Sequence, residues 1–68
     1  MISTPESSTI ATFGYDEARD VLVVQFKAGS TYEYYDVPEN VFTQMCGASS
    51  KGQFLAQNVK GSYRYARV

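Results

Sequence analysis

The 68-residue chain contains no histidine, no tryptophan and a single cysteine, Cys46. One cysteine cannot form an internal disulfide, and without histidine a zinc site of the usual Cys/His type is excluded. A chain of this length forms one domain at most. Because small domains usually need a disulfide, a metal or a second copy for stability, we expect a homo-oligomer.

Long apolar runs are also missing. No segment approaches the roughly 20 apolar residues of a membrane-spanning helix. The N-terminal stretch MISTPESS is polar, has no apolar core of the signal-peptide type, and is expected to be a disordered tail over residues 1–8. We therefore expect no membrane association and a cytoplasmic location, where a lone cysteine stays reduced.

Charge is unevenly distributed along the chain. Residues 1–40 contain all seven acidic residues and two of the six basic ones, whereas residues 41–68 contain the other four basic residues, although the formal net charge is only −1. Such an asymmetry indicates either an anionic partner for the C-terminal half or two halves that neutralise each other in the fold.

Three strands are predicted in the first half. Residues 9–16 alternate weakly, with Ala11, Phe13 and Tyr15 on one face and Ile10 on the other. Residues 21–27 form the strongest strand, and residues 31–37 follow a glycine turn. Short strands joined by tight turns predict an antiparallel meander.

Two helices are predicted in the second half. In the first, over residues 38–46, Asp36 and Glu39 have the spacing of a capping box, and Gly47 is the expected stop. In the second helix, Ser50 is the N-cap and Gly61 ends the helix. The side chain of Gln53 is expected to complete the capping box by bonding to the backbone N–H of Ser50. The predicted fold for residues 9–68 is therefore a single α+β domain: a three-stranded antiparallel meander, two short helices and an extended C-terminal segment.

The order of these motifs resembles the KTSC domain. An L-x-V-x-F strand, a Y-x-Y strand ending in V-P, an S-K-G segment followed by an aromatic residue, and a tail Y-R-Y-A-R-V occur in that order over roughly residues 8–68. The family is named for the C-terminus of some lysyl-tRNA synthetases and also occurs as stand-alone bacterial and phage proteins. The resemblance implies a small binding domain, with RNA as the suggested ligand.

The residues offer little for catalysis. Cys46 falls at the end of a predicted helix, where the helix dipole disfavours a thiolate, so we expect a small apolar filler. The acidic residues of Asp16–Asp20 fit a solvated turn. We predict no enzymatic activity, no catalytic residues, no cofactor and no metal site.

The best candidate for a functional site that the composition indicates is a phosphate-binding site. The opening of the second helix places hydroxyls, a lysine and a glycine beside free backbone N–H groups, and the C-terminal segment interleaves arginines with tyrosines. The candidate phosphate ligands are Ser50, Lys51, Gly52, Arg64 and Arg67. The alternatives are ordinary helix capping, and a terminal strand whose arginines pair with the acidic half.

Tyrosines supply the candidate stacking or rim residues, which are Tyr32, Tyr34, Tyr35, Tyr63 and Tyr65. In a meander, the rings of Tyr32 and Tyr34 continue the covered face of the sheet, and Tyr35 lies on the open face with Val21 and Val23. We expect a binding protein for RNA or for a small or cyclic nucleotide, which it could sequester. The alternative is a protein–protein interaction module, such as a phage-type inhibitor, acting as a homo-oligomer through the open face.

Overall fold

A computed structural model describes residues 2–3 and 9–68. The strands are β1 (Ile2–Ser3), β2 (Ile10–Asp16), β3 (Val21–Phe26), β4 (Thr31–Tyr34) and β5 (Tyr65–Arg67). The helices are α1 (Glu39–Gly47) and α2 (Lys51–Phe54), and α2 continues directly into a π-helical turn (Leu55–Val59). The strands form one sheet in the order β1-β2-β3-β4-β5, and every neighbouring pair is antiparallel.

This architecture confirms the predicted α+β fold with a meander, two short helices and an extended C-terminal segment. The C-terminal segment is a strand, because β5 pairs with β4. The N-terminal prediction needs one correction: Ile2 and Ser3 pair with Phe13 and Thr12 as β1 instead of lying in a disordered tail. The other positions of that predicted tail lie outside the described residues.

An irregularity in β2 corrects the predicted faces of that strand. Ile10 pairs with Phe26 and Thr12 pairs with Gln25, so the register shifts at Ala11, which is one extra residue in β2. One inserted residue reverses the alternation of side chains. As a result Ile10 and Phe13, predicted on opposite faces, are both completely buried.

The core lies between one face of the sheet and the helices. The sheet contributes Ile10, Phe13, Leu22, Val24 and Tyr34, and the second half of the chain contributes Val37, Met45, Leu55 and Val59. Each of these residues is at most 2% exposed. The apolar alternation of β3, with Leu22, Val24 and Phe26 on one side, therefore faces the core as predicted.

The two helix starts differ from each other. Ser50 is the N-cap of α2, and its Oγ accepts a hydrogen bond of 3.3 Å from the backbone N–H of Gln53, as predicted. The capping box at Asp36 is wrong. Asp36 has a positive φ of 57°, and Pro38 precedes α1 without a side-chain cap. β4 ends at Tyr34, and after the turn at Asp36 the side chain of Val37 is completely buried in the core.

Candidate functional site

A groove of about 680 Å³ opens on the covered face of the sheet, at the end that carries the β3–β4 hairpin. Its lining includes four aromatic residues, namely Phe26, Tyr32, Tyr34 and Tyr65. Polar and basic residues complete it, namely Thr9, Lys27, Ser30 and Lys60. Volumes of this order are typical of small-molecule sites, which combine apolar walls with a few polar groups.

Strand register brings the three tyrosines together. Tyr34 lies between Leu22 of β3 and Tyr65 of β5, and Tyr32 lies between Val24 and Arg67. Residues directly opposite each other in an antiparallel sheet point to the same face. Tyr32, Tyr34 and Tyr65 therefore share the face of the core strands, near the edge formed by β5.

The rings form a continuous aromatic surface. Tyr65 lies 5.7 Å from Tyr32 and 5.6 Å from Tyr34 between ring centroids, with the planes tilted by 38° and 40°. Phe26 meets Tyr32 edge to face at 5.5 Å. Burial decreases outwards, since Tyr34 is 2% exposed and Tyr65 is 59% exposed. The outer ring of the surface is therefore available to a planar ligand.

Lysine 60 lies over this surface. The ammonium Nζ of Lys60 is 5.5 Å from the ring centroid of Phe26, within the range of a cation–π contact. Within the described part of the chain, Lys60 forms no ion pair with a carboxylate. Its positive charge is therefore available beside the aromatic surface.

The two ends of the sheet carry opposite charge. The β2–β3 turn holds Asp16, Glu17 and Asp20 against one arginine, Arg19, and the start of α1 adds Glu39. Lys27 and Lys60 line the groove at the opposite end, and Arg67 shares the groove face through its pairing with Tyr32. The charge asymmetry of the sequence therefore becomes, for these residues, an asymmetry between the two ends of the sheet.

The hydroxyl of Tyr34 is held in its neutral form. Burial raises the pKa of Tyr34 above the ordinary 10.0 of tyrosine, and the nearby Tyr32 and Tyr65 raise it further. A neutral phenol can donate a hydrogen bond as well as accept one. No fully buried side-chain polar atom of the described residues lacks a hydrogen-bond partner.

The structure divides the predicted stacking residues into two groups. Tyr32, Tyr34 and Tyr65 meet in the groove. Tyr63 is half-buried against the core. Tyr35 is also half-buried, and its hydroxyl donates a hydrogen bond of 3.2 Å to Oε1 of Glu33 on the opposite face of the sheet.

The predicted phosphate ligands are also dispersed. The Nζ of Lys51 donates a hydrogen bond of 2.7 Å to the carbonyl of Ala48, at the end of α1. Ser50 and Ser49 line a separate depression of about 230 Å³, and Gly52 is half-buried in the four-residue α2. Arg64 lies 3.4 Å from Asp36 between Nη2 and Oδ2, and both side chains are 81% exposed. Only Arg67, of the five, is placed on the groove face.

Sequence reasoning missed Phe26 and Lys60 as site residues. Phe26 has the alternation of a core residue, and Lys60 has the position of an ordinary helix end. The available signal was the pair Lys60–Gly61 before the tyrosine-rich tail. Gly61 has a positive φ of 84°, which turns the chain from the π-helical turn across the groove towards β5.

Three further observations concern chemistry and location. Cys46 is exposed, so the expectation of an apolar filler is wrong: the neighbouring Met45 takes the buried position of α1. Residues 2–3 and 9–68 contain no cluster of three or more potential metal-ligating side chains of His, Cys, Asp or Glu. None of the helices in this part of the chain is long and apolar enough to cross a membrane.

Comparison with known proteins gives consistent matches. The profile of the KTSC domain matches residues 6–63. A protein of Tsukamurella paurometabola is 44% identical over 59 residues, which cover 87% of this chain and 88% of that protein. The crystal structure of a KTSC domain protein from Yersinia pestis has a TM-score of 0.89 and 33% identity, and the match covers 100% of this chain and 93% of that one.

A second kind of relative is much longer. A lysine–tRNA ligase of Nostoc punctiforme is 36% identical over 64 residues, covering 94% of this chain. This chain spans only 11% of the length of that ligase. The similarity therefore concerns one small segment of the ligase.

Proposed function

The chain belongs to the KTSC domain family. We propose that this member is a non-catalytic domain that binds a compact nucleotide in the groove lined by Tyr32, Tyr34 and Tyr65. The observation that carries the proposal is the aromatic surface of Phe26, Tyr32, Tyr34 and Tyr65 with the ammonium of Lys60 beside it. Aromatic faces stack on nucleobases, and lysines neutralise phosphates. Both chemical features of a nucleotide are thus matched within one cavity.

The parts of the ligand can be assigned to parts of the groove. The exposed ring of Tyr65 is the stacking surface for the base, because its neighbours Tyr32 and Tyr34 cover its other side. Lys60 is the phosphate ligand. The neutral hydroxyl of Tyr34 supplies a hydrogen-bond donor at the bottom of the groove.

Size and charge favour a small nucleotide over a long RNA. Affinity for a long polyanion comes mainly from the release of counterions by many cations. The groove face carries Lys27, Lys60 and Arg67. At the other end of the sheet Asp16, Glu17 and Asp20 outnumber Arg19, and this net negative charge would repel a phosphate backbone. A ligand confined to the groove avoids that repulsion.

The ligase relatives are consistent with a nucleotide-type ligand. In the Nostoc protein the matching segment is part of a lysine–tRNA ligase. For this chain we propose binding without catalysis, because a reaction would need an acid, base or nucleophile with a suitable environment in the groove. Cys46 lies on α1 and does not line the groove. The cytoplasmic location expected from the sequence would give access to nucleotides.

The proposal is tested by binding measurements on the full chain. Calorimetric titration with mononucleotides, cyclic mono- and dinucleotides and a short single-stranded RNA should identify a small nucleotide that binds at physiological salt. We expect Tyr65→Ala and Lys60→Ala each to weaken that binding about tenfold, the effect of losing one stacking or charged contact. Arg64→Ala is the matched control, because it removes an exposed cation that does not line the groove.

Three results would contradict the proposal. If Arg64→Ala weakens binding and Lys60→Ala does not, the ligand binds outside the groove. If no nucleotide or RNA binds to the folded protein, the alternative function as a protein–protein interaction module replaces it. Binding of RNA alone, with an affinity that falls steeply with salt, would show a general electrostatic binder instead.

A further inference from the structure

The outer edge of the sheet at β5 is open. β5 is the last strand in the sheet order, and within the described part of the chain only β4 pairs with it. Its residues Tyr65 and Arg67 are exposed, and Ala66 is half-buried. An exposed strand edge presents backbone groups that can pair with a further strand.

The hydrogen bonds to β4 show which backbone groups point outwards. The carbonyl of Arg64 accepts from the N–H of Tyr35, and the N–H of Val68 donates to the carbonyl of Thr31, both at 2.8 Å. Backbone groups of a strand point alternately to its two neighbours. Arg64, Ala66 and Val68 therefore bond to β4, and the N–H and C=O groups of Tyr65 and Arg67 point away from the sheet.

We propose that this edge pairs with β5 of a second copy of the chain, in an antiparallel register centred on Ala66. In that register Tyr65 lies opposite Arg67 of the second copy, and Arg67 lies opposite the second copy's Tyr65. Each such pair exchanges both of its backbone hydrogen bonds, so every outward N–H and C=O of the strand is satisfied. The arrangement has two-fold symmetry, as most homodimer interfaces do.

The side chains suit this register. A tyrosine opposite an arginine allows a cation–π contact, and no two like charges lie directly opposite each other. At the two-fold axis the small side chains of the two Ala66 residues meet without crowding. A register centred on Tyr65 or on Arg67 would pair fewer of the outward backbone N–H and C=O groups of β5. The register centred on Arg67 would also place two arginines opposite each other.

Exposure and chain size favour a second copy as the occupant. The described large hydrophobic residues with high exposure are Tyr65, at 59%, and Val68, at 66%, and both lie at this edge. By contrast, Val21 is only 2% exposed. It lies on the open face of the sheet, which is the face that the sequence suggested for self-association. A 68-residue chain gains the most from extending its sheet, because its own core is small.

The pairing also changes the groove. Side chains opposite each other share one face, so the grooves of both copies open on the same side of a continuous sheet. Arg67 of the second copy then lies beside Tyr65 and adds a cation to the aromatic surface. Because β5 has only three residues, the contact area is small and the dimer is weak, with a dissociation constant in the micromolar range or above.

Sedimentation of the full chain from about 10 µM to about 1 mM tests the proposal, since interfaces of this size associate in that range. We expect a monomer–dimer equilibrium. Arg67→Pro removes an outward N–H and leaves the bonds to β4 intact, and it should weaken association at least about tenfold. The matched control Arg67→Ala keeps the N–H and should retain most of the association. Circular dichroism checks that both variants are folded.

Amide hydrogen exchange of the unmodified protein gives a second readout. Protection of the Tyr65 and Arg67 amides should increase with protein concentration, while that of Ala66, already bonded to β4, should change little. A chain that stays monomeric to about 1 mM would overturn the proposal, as would equal association of Arg67→Pro and the unmodified protein. Nucleotide binding by a monomer would leave the proposed function standing, so the two proposals fail separately.

Discussion

Two aromatic clusters lie on the same face of the sheet, and only one of them is covered. In the closed cluster, the ring of Phe42 from α1 stacks on Tyr15 at 5.4 Å and meets Phe13 edge to face at 5.7 Å. In the open cluster, the rings of Phe26, Tyr32, Tyr34 and Tyr65 contact each other and line the groove.

Helix position explains the difference. α1 packs against β2 and supplies an apolar ring to that side of the sheet. The segment after the π-helical turn crosses the other side of the sheet. There Lys60 contributes an ammonium group, and Gly61 has no side chain. The same type of residue on the same face is therefore core at one end and surface at the other.

The comparison teaches that aromatic content alone does not identify a binding surface. The closed cluster satisfies its polar group internally, because the hydroxyl of Tyr15 donates to the carbonyl of Val37 at 2.5 Å and lies 3.3 Å from Asp20. In the open cluster the outermost ring, Tyr65, is 59% exposed. The first cluster belongs to the core, and the second is the site proposed above for ligand binding.

The largest expected effect comes from truncating the two clusters in turn. Phe13→Ala removes a fully buried ring and should lower the free energy of unfolding by about 3–5 kcal/mol. That loss is as large as the whole free energy of unfolding expected for a domain of this size. Tyr65→Ala removes a ring that is 59% exposed and contacts Tyr32 and Tyr34, and it should lower stability by only about 1 kcal/mol. Urea unfolding followed by circular dichroism measures both. Equal losses would show that the open cluster is part of the core.

A smaller effect is expected from uncovering the closed cluster. Phe42 is half-buried, so Phe42→Ala should lower the free energy of unfolding by about 2 kcal/mol through lost burial and ring contacts. It should also expose Phe13 and Tyr15 to a hydrophobic dye. The half-buried Phe54 is a matched control, since Phe54→Ala removes a ring that has no ring contact with Phe13 or Tyr15. Dye binding by Phe54→Ala alone would contradict the assignment.

The smallest effect concerns the tyrosine hydroxyls and pH. Burial raises the pKa of Tyr34 in the folded state above the 10.0 of the unfolded chain. The neutral form is favoured by folding, so this contribution to stability is complete below pH 10 and is lost as the pH rises through the folded-state pKa. Tyr34→Phe cannot ionise and should lose less stability between pH 9 and pH 12 than the unmodified protein.

Tyr15→Phe provides the contrast from the closed cluster. Burial, and then the charge of Asp20, raise the pKa of Tyr15, so its contribution is also lost at alkaline pH. At neutral pH, however, Tyr15→Phe removes the hydrogen bond to Val37 and should lower the urea midpoint, whereas Tyr34→Phe should leave it nearly unchanged. A Tyr34→Phe midpoint lower than that of Tyr15→Phe would show that the hydroxyl of Tyr34 is structurally required.

Much of the fold follows from local patterns in the sequence. The alternation of β3 and the hydroxyl of Ser50 before α2 are local features, and the structure agrees with both predictions. The predictions that failed depend on non-local contacts. The extra residue Ala11 in β2 is fixed by pairing with β3, and the turn at Asp36 is fixed by the buried position of Val37.

The candidate site shows the same limit. Composition indicated tyrosines and C-terminal cations, and Tyr32, Tyr34, Tyr65 and Arg67 do share one face. The predicted phosphate site at Ser50 and Lys51 followed from a local motif, but Lys51 bonds to the end of α1. Which cation lies beside the rings depends on where the chain crosses the sheet.

The sequence by itself determined the meander of β2, β3 and β4 and the two helices, because alternation, turn residues and capping act between near neighbours in the chain. The tertiary structure decided which aromatic cluster is covered, since Phe42 reaches one end of the sheet face and only Lys60 and Gly61 cross the other. Strand order decided that β5 forms an edge with outward backbone groups at Tyr65 and Arg67. Side-chain exposure and strand edges are properties of the packed chain, so no local pattern could specify them.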